Sequence, residues 1–525
     1  MIWLITIIVI LCAIFYYKAV RQFSYWKDRG VIHKEGSPII RILKQLLFQK
    51  VSLFDSIYNQ YQEFSNERYF GSFQLVKPTL FVNDLDLIKK ITVKDYEYFI
   101  DHNNIISEDL EPLMGKNLIN LKGQRWRDMR ATLSPSFTSS KMKMMFTLIS
   151  ECAEEFTDYF EKQKLDFFDV EMKDVFTRFT NDAIANVAFG FKCNSLKEKD
   201  NEFYMMGKKL TTFSGSSFIA FVLYSVFPAL AKVLNIRIFP KPAITFFSHI
   251  VKDTLNKREK EGLVRPDMIH LLMEARKNAL VNKDMYEPDA TTELKTSNSE
   301  TKHKIELSEE DITAQAIVFI SGGFDTSSTL LSFIAYELAM NNEVQKKLQE
   351  EIDETLNACN GKLTYESVHT MKYMDMVVSE TLRKWPPGFV LDRYCVKDYL
   401  IEPVNSGEKP FLIEKGTMVQ MPIVGIHRDP KYFSNPDTFD PERFNDENKN
   451  SIEHFTYLPF GSGPRNCIAS RFALMENKIL IFHLLSKFDI VKTTKTPYPL
   501  KMAPNSFNLG PAEGFWLGLK RRDST

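Results

Sequence analysis

Paired cysteines are missing from this chain. Its six cysteines, at positions 12, 152, 193, 359, 395 and 467, are widely separated and form no Cys-x-x-Cys pair. That excludes a disulfide framework and fits a reducing compartment around the main body. A surplus of either charge is also missing, since 67 Lys and Arg balance 67 Asp and Glu. Nucleic acid is therefore not an expected partner, and the composition is not that of a disordered chain. No glycine-rich nucleotide- or flavin-binding motif occurs, so any such cofactor must be carried by another protein. What the chain does have is phenylalanine, 42 of its 525 residues, which points to a large aromatic-lined interior. Its length alone would allow two to four domains.

Residues 1–17 carry no charge and are rich in Ile, Leu and Val; Lys18, Arg21, Lys27 and Arg29 follow. The run is slightly shorter than the roughly 20 residues a membrane span prefers, which the thinner bilayer of the endoplasmic reticulum relaxes. A cleaved signal peptide would place positive charge before the apolar core and small residues after it. Neither is present, so 1–17 is expected to be an uncleaved signal anchor. The basic linker over 18–38 then places the body, 39–525, in the cytosol by the positive-inside rule.

The most specific stretch is Pro459-Phe460-Gly461-Ser462-Gly463-Pro464-Arg465-Asn466-Cys467-Ile468-Ala469. A stiff loop ends in one cysteine, and an amphipathic helical pattern starts at once and continues to about 488. The mouth of a helix favours a thiolate through its free N–H groups and its dipole. A lone thiolate suits neither zinc nor an iron–sulfur cluster but suits one axial bond to haem iron. A packing cysteine is the alternative.

Three further patterns stand out. Trp126 and Arg130 are spaced i, i+4 and share a helical face, which suits either a carboxylate clamp or an incidental amphipathic helix. Ser308 with Asp311 resembles a capping box opening a helix to about residue 341, roughly 45–50 Å long. At its centre Gly322-Gly323-Phe324-Asp325-Thr326-Ser327 places two glycines that each cost about 1 kcal/mol against alanine. Close approach of a ligand or of another helix would explain them. Glu380 and Arg383, at i, i+3, meet on one face.

These motifs, in this order, resemble the cytochrome P-450 superfamily: Trp-x-x-x-Arg, a small-Gly-x-acid-Thr helix, Glu-x-x-Arg with Pro441-Glu442-Arg443-Phe444, and the cysteine loop. One letter departs, Ala469 standing where glycine is usual. The resemblance covers nearly everything after the anchor and implies one catalytic domain, mainly α with a smaller β-rich part (α+β). It implies haem b with Cys467 as axial ligand, and Trp126, Arg130, Arg393, Phe460 and Arg465 around the cofactor. Asp325 and Thr326 are implied to deliver protons, while Glu380, Arg383 and Arg443 lock the scaffold. The implied activity is a monooxygenase placing one atom of O2 into a hydrophobic small molecule. Its electrons would come from an NADPH–cytochrome P-450 reductase in the same membrane, with cytochrome b5 as a possible second donor.

The flavour of 99–131, of the Gly-Gly-Phe-Asp-Thr helix and of Ala473-Leu474-Met475-Glu476 looks most like arthropod microsomal detoxification enzymes, with a xenobiotic, insecticide or plant toxin as substrate. A hydroxylase of an endogenous hormone or lipid is the alternative. A haem-thiolate isomerase would not need the Asp325/Thr326 pair, and a gas sensor would not need an apolar entry route. The Phe-rich stretch 213–247, broken by prolines, fits a membrane-dipping entry segment better than a second span or a core helix. Residues 281–306 read as a polar linker. Pocket candidates are 99–121, 213–247, Phe319, Phe324, 389–391 and 505–507, and Lys122, Arg125, Arg127, Lys141 and Lys143 form a candidate basic docking face.

Overall fold

The computed structural model describes residues 24–34, 51–284 and 307–522, except 76, 104–105, 107, 213–215, 266 and 505–507, together with Thr6, Ile10, Ala13 and Tyr17. The anchor expected over 1–17, the linker over 18–38, most of 281–306 and the pocket candidates 505–507 lie largely or wholly outside the described residues.

The architecture is built on one helix, Glu309–Met340, of 32 residues. Ser308 accepts from the Asp311 N–H, and the Asp311 carboxylate accepts from the Ser308 N–H, so both halves of the capping box form. Among the described residues it is the one helix long and apolar enough to cross a membrane. It does not serve that purpose here, because most of its side chains are buried within the protein. It packs most extensively against the helix Met172–Ile184 and also meets the helices Lys372–Lys384 and Ser470–Lys487.

The β-rich part is small, as the resemblance implied. Strands β1 (Tyr69–Gln74), β2 (Lys77–Val82), β4 (Leu391–Tyr394) and β7 (Met418–Met421) form one sheet in the order β1-β2-β7-β4. Only the β2–β7 pair is parallel. A second sheet orders β3 (Phe167–Glu171), β9 (Trp516–Arg521) and β8 (Phe488–Val491), and β5 (Tyr399–Ile401) pairs with β6 (Phe411–Ile413). Residues 390–401 therefore hold two strands in different sheets. The break follows Cys395, whose N–H is taken by the Thr417 carbonyl before the chain turns away.

Two apolar cores result. The larger gathers the helices around Glu309–Met340. The smaller joins the first sheet to Trp26, Phe99 and Ile423. Phe99, a pocket candidate, is fully buried there with its ring edge-on to Tyr399. The stretch 213–247 forms short helices, Ser216–Val226 and Pro228–Val233, and the first turns of Lys241–Glu261. Pro228 and Pro242 sit in first turns, where a missing N–H costs nothing, and their placement rules out one continuous span.

Candidate active site

The cysteine loop is shaped by its glycines. Gly461 and Gly463 both adopt left-handed backbone, φ 73° and 72°. At Gly463 a Cβ atom would lie 1.8 Å from the Thr92 carbonyl oxygen, so only glycine fits. The Cys467 N–H donates to the Phe460 carbonyl at 2.9 Å and closes the loop. Ala469, the unusual letter, is the N-cap residue of the helix Ser470–Lys487 at φ −99°. Any L-residue adopts that conformation, so alanine is unstrained.

The Cys467 sulfur is solvent-accessible yet surrounded by enough protein that burial raises its thiol pKa. The Ala469 N–H and the Arg130 charge pull the other way. Helix-mouth stabilisation thus operates but is outweighed, and binding a metal would have to drive the proton off.

Arg130 donates to the Asn466 carbonyl and to Asn466 Oδ1, both at 2.8 Å, which ties the helix Gly123–Leu133 to the residue beside the cysteine. Its helical neighbour Trp126 is buried under Arg465, whose guanidinium carbon sits 4.0 Å from the indole centroid. The Trp126 indole N–H donates to no described residue. Arg465 spends its donors on three carbonyls, those of Ile100 (2.6 Å), Leu118 (3.3 Å) and Leu121 (2.7 Å). It therefore staples 99–121 onto the loop. Burial lowers its pKa to about 9, against the pull of Asp101, so it stays charged at neutral pH. Arg393 is buried on β4 and donates to the Asp392 carbonyl at 2.8 Å and to the Ser462 carbonyl at 3.1 Å. Phe460 packs against the larger core.

In the long helix the two glycines divide the roles that the sequence left open. A Cβ at Gly323 would meet Ile184 Cδ1 at 2.9 Å, so this glycine serves helix–helix contact. Gly322 faces open space with nothing within 4 Å. Thr326, one turn on, is exposed and donates to the Gly322 carbonyl at 2.5 Å. Asp325 is anchored, because Lys173 Nζ lies 2.9 Å from its Oδ1. Lys173 Nζ also lies within hydrogen-bond distance of the Asp325 carbonyl, Ser328 Oγ and Thr329 Oγ1. Phe324 is a correction to the pocket candidates. It is buried beside Tyr204 and Gly207, on the far side of the helix from Gly322 and Thr326.

Glu380 and Arg383 form a buried bidentate pair, Nε–Oε2 2.7 Å and Nη2–Oε1 2.8 Å. Arg443 Nε adds a contact to Oε1 at 3.3 Å. Sequence reasoning missed the connection onward. His427 accepts from the Leu458 N–H through Nε2 at 2.8 Å, so Nδ1 carries the hydrogen and donates to the Arg383 carbonyl at 3.2 Å. One histidine thus joins the Glu380–Arg383 pair to the entrance of the cysteine loop. A lone His in an apolar context gave no signal for this.

Burial pushes the His427 pKa down to about 3, below its ordinary 6.5. The unfolded chain takes up that proton below about pH 6.5 and the folded protein does not, so His427 costs no stability above 6.5 and an increasing amount as pH falls toward 3. His427→Gln is expected to flatten the dependence of unfolding free energy on pH between 6 and 4 by about 1.4 kcal/mol per unit, one proton's worth. Urea unfolding at several pH values measures it, and an unchanged slope would refute a neutral buried His427.

Of the candidate docking cations, Arg125, Arg127 and Lys143 are ion-paired with Glu108, Glu97 and Glu366. No cluster of three or more His, Cys, Asp or Glu side chains suited to a metal occurs among the described residues. An iron at Cys467 would therefore need most of its ligands from a non-protein ring. The surroundings fit a haem: an exposed lone cysteine, a Trp126 indole N–H that donates to no described residue, Arg130 and Arg393 bonded to the loop, and an uncovered backbone at Gly322.

The family model described as Cytochrome P450 matches residues 34–517. The chain is 46% identical to cytochrome P450 9e2 of Blattella germanica, over 95% of this chain and 94% of that protein. It is 40% identical to the probable cytochrome P450 9f2 of Drosophila melanogaster, over 98% of each. With cytochrome P450 6k1 of Blattella germanica the identity is 34%, over 98% of this chain and 96% of the relative.

Proposed function

The chain belongs to the cytochrome P450 family and is a haem-thiolate monooxygenase; from that premise we propose that it oxidises hydrophobic foreign compounds such as insecticides or plant toxins. The observation that carries the oxygenase side is the exposed Thr326 beside the uncovered Gly322 in an otherwise buried helix. Cys467 would hold the haem iron, with Trp126, Arg130, Arg393, Phe460 and Arg465 around the cofactor, and the haem would supply the activation of O2. The protein does the rest. The Thr326 hydroxyl holds a proton at Oγ1 on the open side of the helix, and the neighbouring residue Asp325 has its side chain held by Lys173.

Electrons reach the protein from an NADPH–cytochrome P-450 reductase, with cytochrome b5 as a second donor, at the endoplasmic reticulum membrane. The apolar run 1–17 anchors the chain there with the body in the cytosol. The exposed Ile219, Val233 and Leu234 support lipid contact by the 213–247 segment.

The test is reconstitution with reductase and NADPH against a panel of insecticides and plant toxins beside steroid and fatty-acid substrates, with product analysis. Turnover confined to the endogenous compounds would overturn the detoxification assignment. Thr326→Ala should leave NADPH consumption intact while product per NADPH falls about a hundredfold, the lower end of what a lost proton-delivering group costs, and peroxide rises. Unchanged coupling would remove Thr326 from the proton path.

A further inference from the structure

The helix Ser470–Lys487, which follows the cysteine loop, carries a carboxyl group that the oxygenation chemistry does not use. Glu476 is wholly buried, and neither of its oxygens makes a hydrogen bond of good geometry. No lysine, arginine or histidine influences it. Burial, followed by the hydroxyl of Ser327, governs its proton, and burial raises its pKa to about 8. The nearby cation Lys478 is engaged with Asp375. A carboxylate without a cation or donors in a dry interior is among the least favourable arrangements a fold can hold, whereas a neutral acid needs only one acceptor and one donor.

Ser327 supplies the other half. It lies on the long helix directly after Thr326 and is buried, and its hydroxyl is the side-chain group that acts on the Glu476 carboxyl, although no bond of good geometry closes between them. Asn477 Oδ1, on the next residue of the same helix, is also buried and unpaired. Two unmatched carboxyl oxygens at a helix–helix seam, with a serine opposite, have the composition of an internal hydration site, because a buried water binds where two to four polar partners converge.

We propose that Glu476 is a neutral acid in the folded enzyme and that, through a buried water shared with Ser327, it is a positioning residue that fixes the rotation of the long helix and so the aim of Thr326. The inference rests on the assignment of Thr326 to the oxygen side of the haem. Ser327 and Thr326 are adjacent, so a rotation that carries Ser327 away from Glu476 also moves the Thr326 hydroxyl.

Two measurements test it on the haem-loaded enzyme. An infrared difference spectrum of wild type minus Glu476→Gln at pH 7 should show a protonated carboxyl C=O band and no change in the carboxylate bands. Loss of carboxylate bands instead would overturn the proposal. With reductase, NADPH and an alkoxycoumarin as probe, Glu476→Gln should keep product per NADPH within about twofold of wild type, whereas Glu476→Met and Ser327→Ala should each lower it about threefold or more and combine without adding. Retained coupling in Glu476→Met, or equal damage in Glu476→Gln, would overturn it. If Glu476→Met does not fold, Ser327→Ala and the infrared result decide. If these results hold while Thr326→Ala leaves coupling unchanged, the Glu476–Ser327 link stands and the assignment of Thr326 fails.

Discussion

Cys467→Ala is expected to abolish the thiolate-type absorbance of the reduced carbonyl complex and to cut product formation by at least about a hundredfold, the scale on which removal of one directly acting group is felt. The substitution is a clean one. The residue is exposed and its sulfur is met by the Ala469 N–H rather than by core side chains, so its loss opens no core cavity and circular dichroism should be unchanged. The loop is held by other atoms: the Cys467 N–H to Phe460, Arg130 to Asn466, and the two left-handed glycines.

Substitution by another cysteine is disfavoured on physical grounds. Burial raises the Cys152 and Cys193 thiols to about 12 and Cys395 to about 11, so each resists becoming a thiolate. Cys467 is also raised by burial, but the Ala469 N–H and Arg130 oppose the rise. Persistence of the thiolate-type band in Cys467→Ala would sink the assignment of the axial ligand. Cys467→Ser, with an oxygen at nearly the same position, should lose the band as well, which would show that sulfur itself is required.

How much of this was legible beforehand depended on the range of the interaction. Ser308 and Asp311 are three residues apart, and their reciprocal bonds follow from local geometry, so the start of the long helix could be read directly. Glu380 and Arg383 are likewise local. The phase of the helix was readable too, but its outer surroundings were not. Gly322 and Thr326 are one turn apart and share a face, while Phe324, between them, points nearly opposite into the core. Naming Phe324 as pocket lining ignored that rotation.

The partners supplied by distant segments were invisible. Lys173 reaches Asp325 across 152 positions, and Arg465 reaches Ile100 across 365. Nothing in a window of sequence encodes such pairings. The division of 390–401 between β4 and β5 is likewise set by which neighbouring strand each half meets.

Glu380→Ala and Arg383→Ala are each expected to destabilise the folded protein by about 3–5 kcal/mol, because either leaves an uncompensated charge where both side chains are wholly buried. Against a typical net stability of about 5–15 kcal/mol this is a large share, and poor haem retention on expression should accompany it. The lesion spreads beyond the pair. Arg383 also donates to the His427 carbonyl at 2.9 Å and the Pro436 carbonyl at 2.8 Å, and Glu380 accepts from the Asp440 N–H at 3.0 Å. These bonds fix the irregular chain that leads into the cysteine loop, with His427 passing the constraint to Leu458. Arg443 is a longer and less buried contact, so Arg443→Ala should cost less than either core substitution. Because the two share the Glu380 carboxylate, the loss in Glu380→Ala/Arg443→Ala should fall short of the sum of the single losses by about 0.5–3 kcal/mol. Replacing Glu380 and Arg383 together by methionine should recover part of the single-variant loss, since no lone charge is then stranded. Thermal and denaturant unfolding of the haem-loaded protein measures all of these. Full additivity between Glu380 and Arg443, or a double methionine variant as unstable as Arg383→Ala, would show that the buried charges act independently rather than as one lock on the loop.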